Sequence, residues 1–205
     1  MKTSLIILAA GKGTRMNSDL PKVLHPIAGE AMLIHAMQSG RVLDPEKTVV
    51  VAGHGADQVR TAVLTHDPEA VVVDQTEQLG TAHAVSQARA ALTGFDGMAV
   101  VLYGDTPFIQ ATTLEKMQTA LESHDVVVLG FEADDPARYG RLMMAGSTLE
   151  RIVEYKDASA AERAITLCNS GVVAARADLL FDLIDAVGND NAAGEYYLTD
   201  IVGLA

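Results

Sequence analysis

The chain has 205 residues, 49% apolar and 4% aromatic, and its 15 Lys and Arg against 27 Asp and Glu give a formal net charge of −12. That length fits one α/β domain with a substantial core, while the acidic balance and the lack of tryptophan argue against a nucleic-acid surface, a stacking platform or an anionic membrane as partner. No uncharged apolar run reaches the roughly 18 residues of a membrane span, Met1-Lys2 runs straight into an apolar segment rather than a secretory signal, and a lone cysteine, Cys168, fits a reducing, cytoplasmic setting.

Ser4-Leu5-Ile6-Ile7-Leu8 is predicted to be a buried strand. The run Leu8-Ala9-Ala10-Gly11-Lys12-Gly13-Thr14-Arg15-Met16 then falls at the carboxyl edge of the sheet, where open α/β sheets bind ligands. Gly11 and Gly13 lack Cβ atoms, so the main chain can approach a polyphosphate and turn its N–H groups toward the oxygens. Lys12, Arg15 and the Lys22 of Pro21-Lys22 supply positive charge, and Asp19 is the only acid up to residue 22, so a local positive field sits inside an acidic molecule. Spacing excludes two commoner phosphate loops: Met16 stands where a dinucleotide fingerprint needs its third glycine, and no Gly-Lys-Ser/Thr ending follows the first glycine at Walker distance.

Downstream, apolar strand-like runs at 48–52, 70–73, 99–102 and 126–130 alternate with amphipathic helical stretches at 31–42, 56–64, 80–92 and 112–121, with Thr112-Thr113 as a cap. This is the pattern of a mainly parallel, Rossmann-like sheet wrapped by helices. Gln75 and Gln78 flank a loop running into Gly80-Thr81; side-chain amides can read a pyrimidine edge, though glutamines before a helix are also commonly solvated. Asp105 follows the run 99–102 at a strand's carboxyl end. Its spacing leaves two readings, a hard oxygen ligand for Mg²⁺ or a cap for the helix starting near Gln110. After residue 131 the rhythm changes, and 141–145, 149–155 and 167–175 read as strands of a small antiparallel addition. Gly140, Glu154 and Asn169 fall near the ends of these strands, where carboxylate and amide groups can grip sugar hydroxyls; alone, Glu154 beside Tyr155-Lys156 reads more simply as a surface charge. Helices at 177–187 and 195–204 close the chain, with a loop-rich stretch over 182–191. The apolar helical face at the end has no capping glycine or basic last turn, so the molecule reads as truncated. The six histidines show no metal-ligand spacing.

Leu8 to Met16 with Pro21-Lys22 resembles the signature loop of the sugar-nucleotide pyrophosphorylases, a nucleotidyltransferase family. The stretch Lys12 to His25 is similar in particular to the bacterial N-acetylglucosamine-1-phosphate uridylyltransferases. Six later blocks follow in the family's order: 78–84, 102–105, 139–141, 152–154, 169–171 and 194–200. The resemblance implies a nucleotide-diphospho-sugar transferase fold. It also implies a reaction of UTP with N-acetylglucosamine 1-phosphate giving UDP-N-acetylglucosamine and pyrophosphate, which feeds cell-envelope precursors for peptidoglycan and lipopolysaccharide. By the same resemblance, Leu8, Ala9, Ala10, Gly11, Gly13, Gln75, Gln78, Gly80 and Thr81 hold the nucleotide. Arg15 and Lys22 are catalytic, Asp105 holds Mg²⁺, and Tyr103, Gly140, Glu154, Asn169, Tyr197 and Thr199 meet the sugar. Ser170 stands where many relatives have threonine, a conservative departure.

The family's second magnesium ligand, an asparagine past the Tyr-Tyr-Leu-Thr-Asp block, is not among the 205 residues, nor is its β-helix acetyltransferase domain. A single nucleotidyltransferase domain over 1–205 is therefore expected, with no acetyl-CoA site and no trimer. Two rivals stay open: the same chemistry on another sugar 1-phosphate, such as N-acetylmuramic acid 1-phosphate, and a silent nucleotide-sugar-binding module.

Overall fold

A computed structural model describes residues 2–13, 16 and 18–205. Thr3–Ala9 (β1) is buried along its whole length, as a β-branched and leucine-rich run without charge should be. After the glycine loop come a 3₁₀ turn over Lys22–Leu24 and a tight hairpin of Pro26–Ile27 (β2) with Glu30–Ala31 (β3), then the helix Met32–Gly40 (α1). Lys47–Ala52 (β4), Ala56–His66 (α2), Val71–Asp74 (β5), Thr81–Ser86 (α3), Met98–Tyr103 (β6) and Ala111–Ala120 (α4) continue the alternation. β1 lies between β4 and β6, parallel to both, and β5 extends the sheet beyond β4.

The second half departs from simple alternation. Val126–Glu132 (β7) does not pair with β6. The strand Leu167–Arg176 (β10) enters between them, antiparallel to both. Val173 pairs with Val101 of β6 on one side and with Val128 of β7 on the other, and the register breaks between Asn169 and Val173. Arg141–Ala145 (β8) and Thr148–Val153 (β9) form a hairpin joined to β10 through Arg141 and Cys168. Ala160–Arg163 (α5), Ala177–Ala186 (α6) and Ile201–Leu204 (α7) complete the chain. Among the described residues the main sheet has eight strands.

Both faces of this sheet are covered. Ile6, Leu8, Val49, Val51, Val101 and Val173 pack under α3 and α6, and their neighbours Leu5, Ile7, Val50, Val100, Leu102 and Ala174 pack under α1, α2 and α4. The strands alternate between two apolar layers, which is why they read as continuous apolar runs.

The expected mixed, mainly parallel α/β sheet with an antiparallel part is what the structure has. Three details differ. The run 167–175 reads as part of the addition, yet β10 is a central strand and, of the three runs expected there, only the β8–β9 hairpin is peripheral. Helix α4 starts after Gln110, so Thr112 and Thr113 lie inside its first turn rather than capping it. The expected helix over 195–204 forms only as a 3₁₀ turn, Leu198–Asp200, and the short α7, because Tyr196 gives its N–H and carbonyl to the loop before α3 instead of to a helix. No described helix is long and apolar enough to cross a membrane.

Candidate active site

The carboxyl ends of β1 and β6 open into a cleft of about 680 Å³ lined by Leu8, Ala10, Gly11, Gly13, Met16, Lys22, Val23, Gln75, Gln78, Gly80, Thr81, Ala84, Tyr103, Asp105 and Glu195. The chain reaches this shape for local reasons. Gly13 has φ +56°, and a Cβ there would sit 2.7 Å from Lys22 Cβ, so any side chain would push the loop off the turn that carries Lys22. A Cβ on Gly11 would meet nothing within 4 Å, because that residue faces open cleft. Pro21 sets the entry to the 3₁₀ turn, and Val23 is buried beneath it.

Lys22 Nζ lies 2.5 Å from Asp105 Oδ2, with both side chains about one-third exposed. A cation from the glycine-loop side and a carboxylate from the end of β6 thus meet on one wall of the cleft. Among the described residues no cluster of three or more His, Cys, Asp or Glu could hold a metal by itself. A single carboxylate beside a phosphate-sized space does fit Mg²⁺, which takes one or two carboxylates and leans on nucleotide phosphates and water for the rest.

The opposite wall is the loop before α3. Gln75 is only 5% exposed, and its Nε2 serves Gly80 O at 3.1 Å and His83 Nδ1 at 3.0 Å. Its two donors are therefore committed within the loop, so its amide N–H groups are not the ones free for a base. Gln78 Nε2 donates to Ala10 O at 3.0 Å, tying this loop to the glycine loop, and keeps one N–H and its carbonyl oxygen. Gly80 has φ +117°, and a Cβ there would collide with the backbone of Tyr196. The contact is a short backbone ladder: Tyr196 N–H donates to Leu79 O at 2.8 Å and Ala82 N–H to Tyr196 O at 2.9 Å. Thr81 Oγ1 accepts from Leu198 N–H at 2.8 Å.

The residues expected to meet the sugar are brought near one another but do not line one space. Glu154 and Tyr197 border a second cleft of about 440 Å³ with Arg138, Tyr155, Lys156, Ala193 and Glu195. Asn169 and Thr199, with Tyr103, border a third, narrow space of about 10 Å³. Gly140 O accepts from Asn169 N–H at 2.9 Å, and Asn169 Oδ1 accepts from Gly171 N–H at 3.0 Å, which holds the register break in β10. Thr199 Oγ1 donates to Glu154 Oε1 at 3.2 Å. Ala9 is buried in the sheet rather than in the cleft wall, and Arg15 lies outside the described residues.

Electrostatics on this side favour neutral forms. Burial, with Asp157, Asp200 and Glu195 nearby, holds the Glu154 carboxyl above its usual range despite the Thr199 hydrogen bond. Burial and surrounding carboxylates push the Tyr197 phenol up to about 12 and raise Tyr103 as well. Because the folded pKa of Glu154 exceeds its unfolded value, the stability of the protonated form is complete below the unfolded pKa and is lost as pH rises through the folded one. Glu154→Gln keeps the Thr199 acceptor without the charge. It is expected to be more stable than the parent at about pH 8 and equal to it at about pH 4. Urea unfolding at the two pH values checks this, and a variant less stable at both would mean that the carboxylate is favourably held.

Sequence reading missed three contributors. Glu195 borders both clefts but lay in a motif without an assigned role. Asn191 organises the turn before it. Arg141 is 1% exposed and gives its guanidinium to the carbonyls of Ala137, Tyr139 and Arg163. Only its place in the Tyr139-Gly140-Arg141 block hinted at a role.

A glycine-walled, cation-bearing cleft at the carboxyl edge of an open α/β sheet is the place where such folds bind phosphate-bearing ligands. The chain belongs to the MobA-like NTP transferase domain family, whose model matches residues 5–182. It is 69% identical over all 205 residues to the bifunctional protein GlmU of Roseobacter denitrificans and 67% identical to that of Ruegeria pomeroyi. The chain spans about half the length of the curated relatives it matches, 46% of each of these two. Its fold is shared with a UDP-glucose pyrophosphorylase solved with UDP-glucose, at TM-score 0.82 and 16% identity over the whole chain and 86% of that structure. HddC from Yersinia pseudotuberculosis, solved with GMP-PN, superposes at TM-score 0.69 and 22% identity over 96% of this chain and 83% of its own.

Proposed function

We propose that the chain transfers a uridylyl group from UTP to N-acetylglucosamine 1-phosphate, giving UDP-N-acetylglucosamine and pyrophosphate. The observation that carries this reading is the meeting of Lys22 and Asp105 on one wall of the cleft whose other walls are the glycine loop and the Gln78–Thr81 loop. The family and the GlmU relatives support it.

In this reading a phosphate oxygen of the sugar phosphate attacks the α-phosphorus of UTP, and the bond from that phosphorus to the oxygen bridging to the β-phosphate breaks. The attacking oxygen is already anionic, so no strong base is needed. Rate then comes from alignment and from charge neutralisation on the transferring phosphoryl group and on leaving pyrophosphate. The amides around Gly11 and Gly13 hold the triphosphate, while Gln78, Gly80 and Thr81 hold the uridine. Lys22 neutralises Asp105 in the free protein, and its ammonium, on a flexible stem, turns to phosphate when nucleotide enters. Asp105 would hold Mg²⁺, which supplies further charge neutralisation on the polyphosphate. Glu154, with Thr199 and Asn169, would grip the acceptor sugar. A cytoplasmic setting belongs to the same proposal.

Pyrophosphate release measured across four nucleoside triphosphates and several sugar 1-phosphates with Mg²⁺ tests the proposal. UTP with N-acetylglucosamine 1-phosphate is the expected pair. Another productive pair would reassign the acceptor or the base, and thermal stabilisation by UTP without any release would make the chain a binding module. For Asp105→Asn, turnover is expected to need markedly more Mg²⁺. Calorimetry of UTP with Mg²⁺ against UTP with EDTA should then show that the metal no longer strengthens binding, and unchanged curves would remove Asp105 from the metal site.

A further inference from the structure

One segment, residues 191–199, touches both halves of the site. On the donor side Tyr196 forms the ladder with Leu79 and Ala82, and Leu198 N–H donates to Thr81. Toward the acceptor side Ala192 N–H donates to Asp157 Oδ1 at 2.8 Å, and Thr199 Oγ1 donates to Glu154 Oε1. The start of the segment is a turn built around a single side chain. Asn191 Nδ2 donates to Glu195 O at 2.6 Å, while its Oδ1 accepts from Ala193 N–H at 3.1 Å and Glu195 N–H at 3.2 Å. Three bonds from one amide fix the direction in which the chain leaves the turn, and Glu195 leaves it bordering both clefts.

We infer that Asn191 is a positioning residue for the acceptor: its amide shapes the turn that delivers Glu195 to the acceptor cleft. This rests on the acceptor-side reading given above. The donor side is held independently, because the Tyr196 ladder and the Thr81 bond lie beyond the turn and do not use Asn191. Loss of the amide should therefore act on one substrate.

The test compares the chain with Asn191→Ala and Asn191→Asp. Alanine removes all three bonds; aspartate keeps the acceptor oxygen but loses the donor to Glu195 O. For Asn191→Ala, KM for N-acetylglucosamine 1-phosphate is expected to rise about ten-fold, the size of one hydrogen-bond loss. UTP affinity should stay within about two-fold and kcat should change little. Asn191→Asp should fall between parent and alanine variant. Amide hydrogen exchange should quicken at Ala193 and Glu195 in the alanine variant and stay slow at Tyr196 and Ala82. Equal weakening of both substrates, an unchanged KM, or faster exchange at Tyr196 would overturn the inference. Should the parent release no pyrophosphate with any pair, the functional reading fails separately. The inference is then decided by calorimetry: selective loss of UDP-N-acetylglucosamine affinity against UTP supports it, and parallel or absent loss overturns it.

Discussion

Lys22→Ala is expected to lower kcat by on the order of 10²-fold or more while UTP binding weakens only a few-fold, because its charge matters most where phosphoryl charge grows. The structure gives this a particular form. Lys22 is fixed at its base by the close approach of Gly13 and by buried Val23, and at its tip by Asp105 at 2.5 Å. Truncation therefore removes a cation from the wall and leaves Asp105 unneutralised in a cleft meant for phosphates. Lys22→Arg should restore little, since a planar fork replaces a point charge on a flexible stem. Steady-state kinetics with calorimetric UTP binding decide the matter. A rise in KM at unchanged kcat would make Lys22 a ground-state phosphate anchor.

The second large effect is on stability. Arg141→Ala is expected to cost about 3 kcal/mol or more and to lower Tm by roughly 6–12 °C. Its guanidinium is the largest fully buried side chain, and it satisfies the carbonyls of Ala137, Tyr139 and Arg163. Removal takes the shared donor from those carbonyls and leaves a void where the buried side chain lay, and the fork also lies 6.0 Å from the Tyr155 ring centroid. Arg141→Lys should lose nearly as much, since one ammonium cannot span three carbonyls. Because Gly140 precedes Arg141 and sits where an added Cβ would lie 3.4 Å from Glu154 Oε1, acceptor use should fall with stability, and scanning calorimetry beside acceptor KM would show both. A Tm within about 2 °C of the parent would mean that the loop finds other donors.

Much of the donor side was legible because its chemistry is local. A glycine pair on a strand's end, Lys22 after Pro21, and Asp105 past an apolar run are each written in a few adjacent residues, and the sheet brings their edges together. The acceptor side was less legible. Within the run 167–175 the residues that pair with β6, Val173–Ala175, are apolar whether they lie in a parallel or an antiparallel setting, so nothing in them announces an insertion between β6 and β7. Glu195 to Leu204 carries helical spacing, but the partners that hold Tyr196 out of a helix and anchor Leu198 are Leu79, Thr81 and Ala82, far away in sequence. Gln75 reads like Gln78 in the sequence; both line the cleft, and only burial and hydrogen bonding show that Gln75 also ties its own loop to Gly80 and His83.

The insertion of β10 also sets the order in which the molecule can be completed. β6 has its inner partner, β1, as soon as it is made, but its outer edge stays open until Val173–Arg176 arrive, and β7 has no strand partner until Leu167–Asn169 arrive. A ribosome must therefore add 70 residues after Tyr103, the end of β6, to reach Val173, the residue that pairs with Val101 and begins to close that edge. Such distant pairings make folding slow and leave unpaired edges open to other chains meanwhile. The acceptor half is thus completed after the donor half, and its assembly is the one that most needs shelter during synthesis.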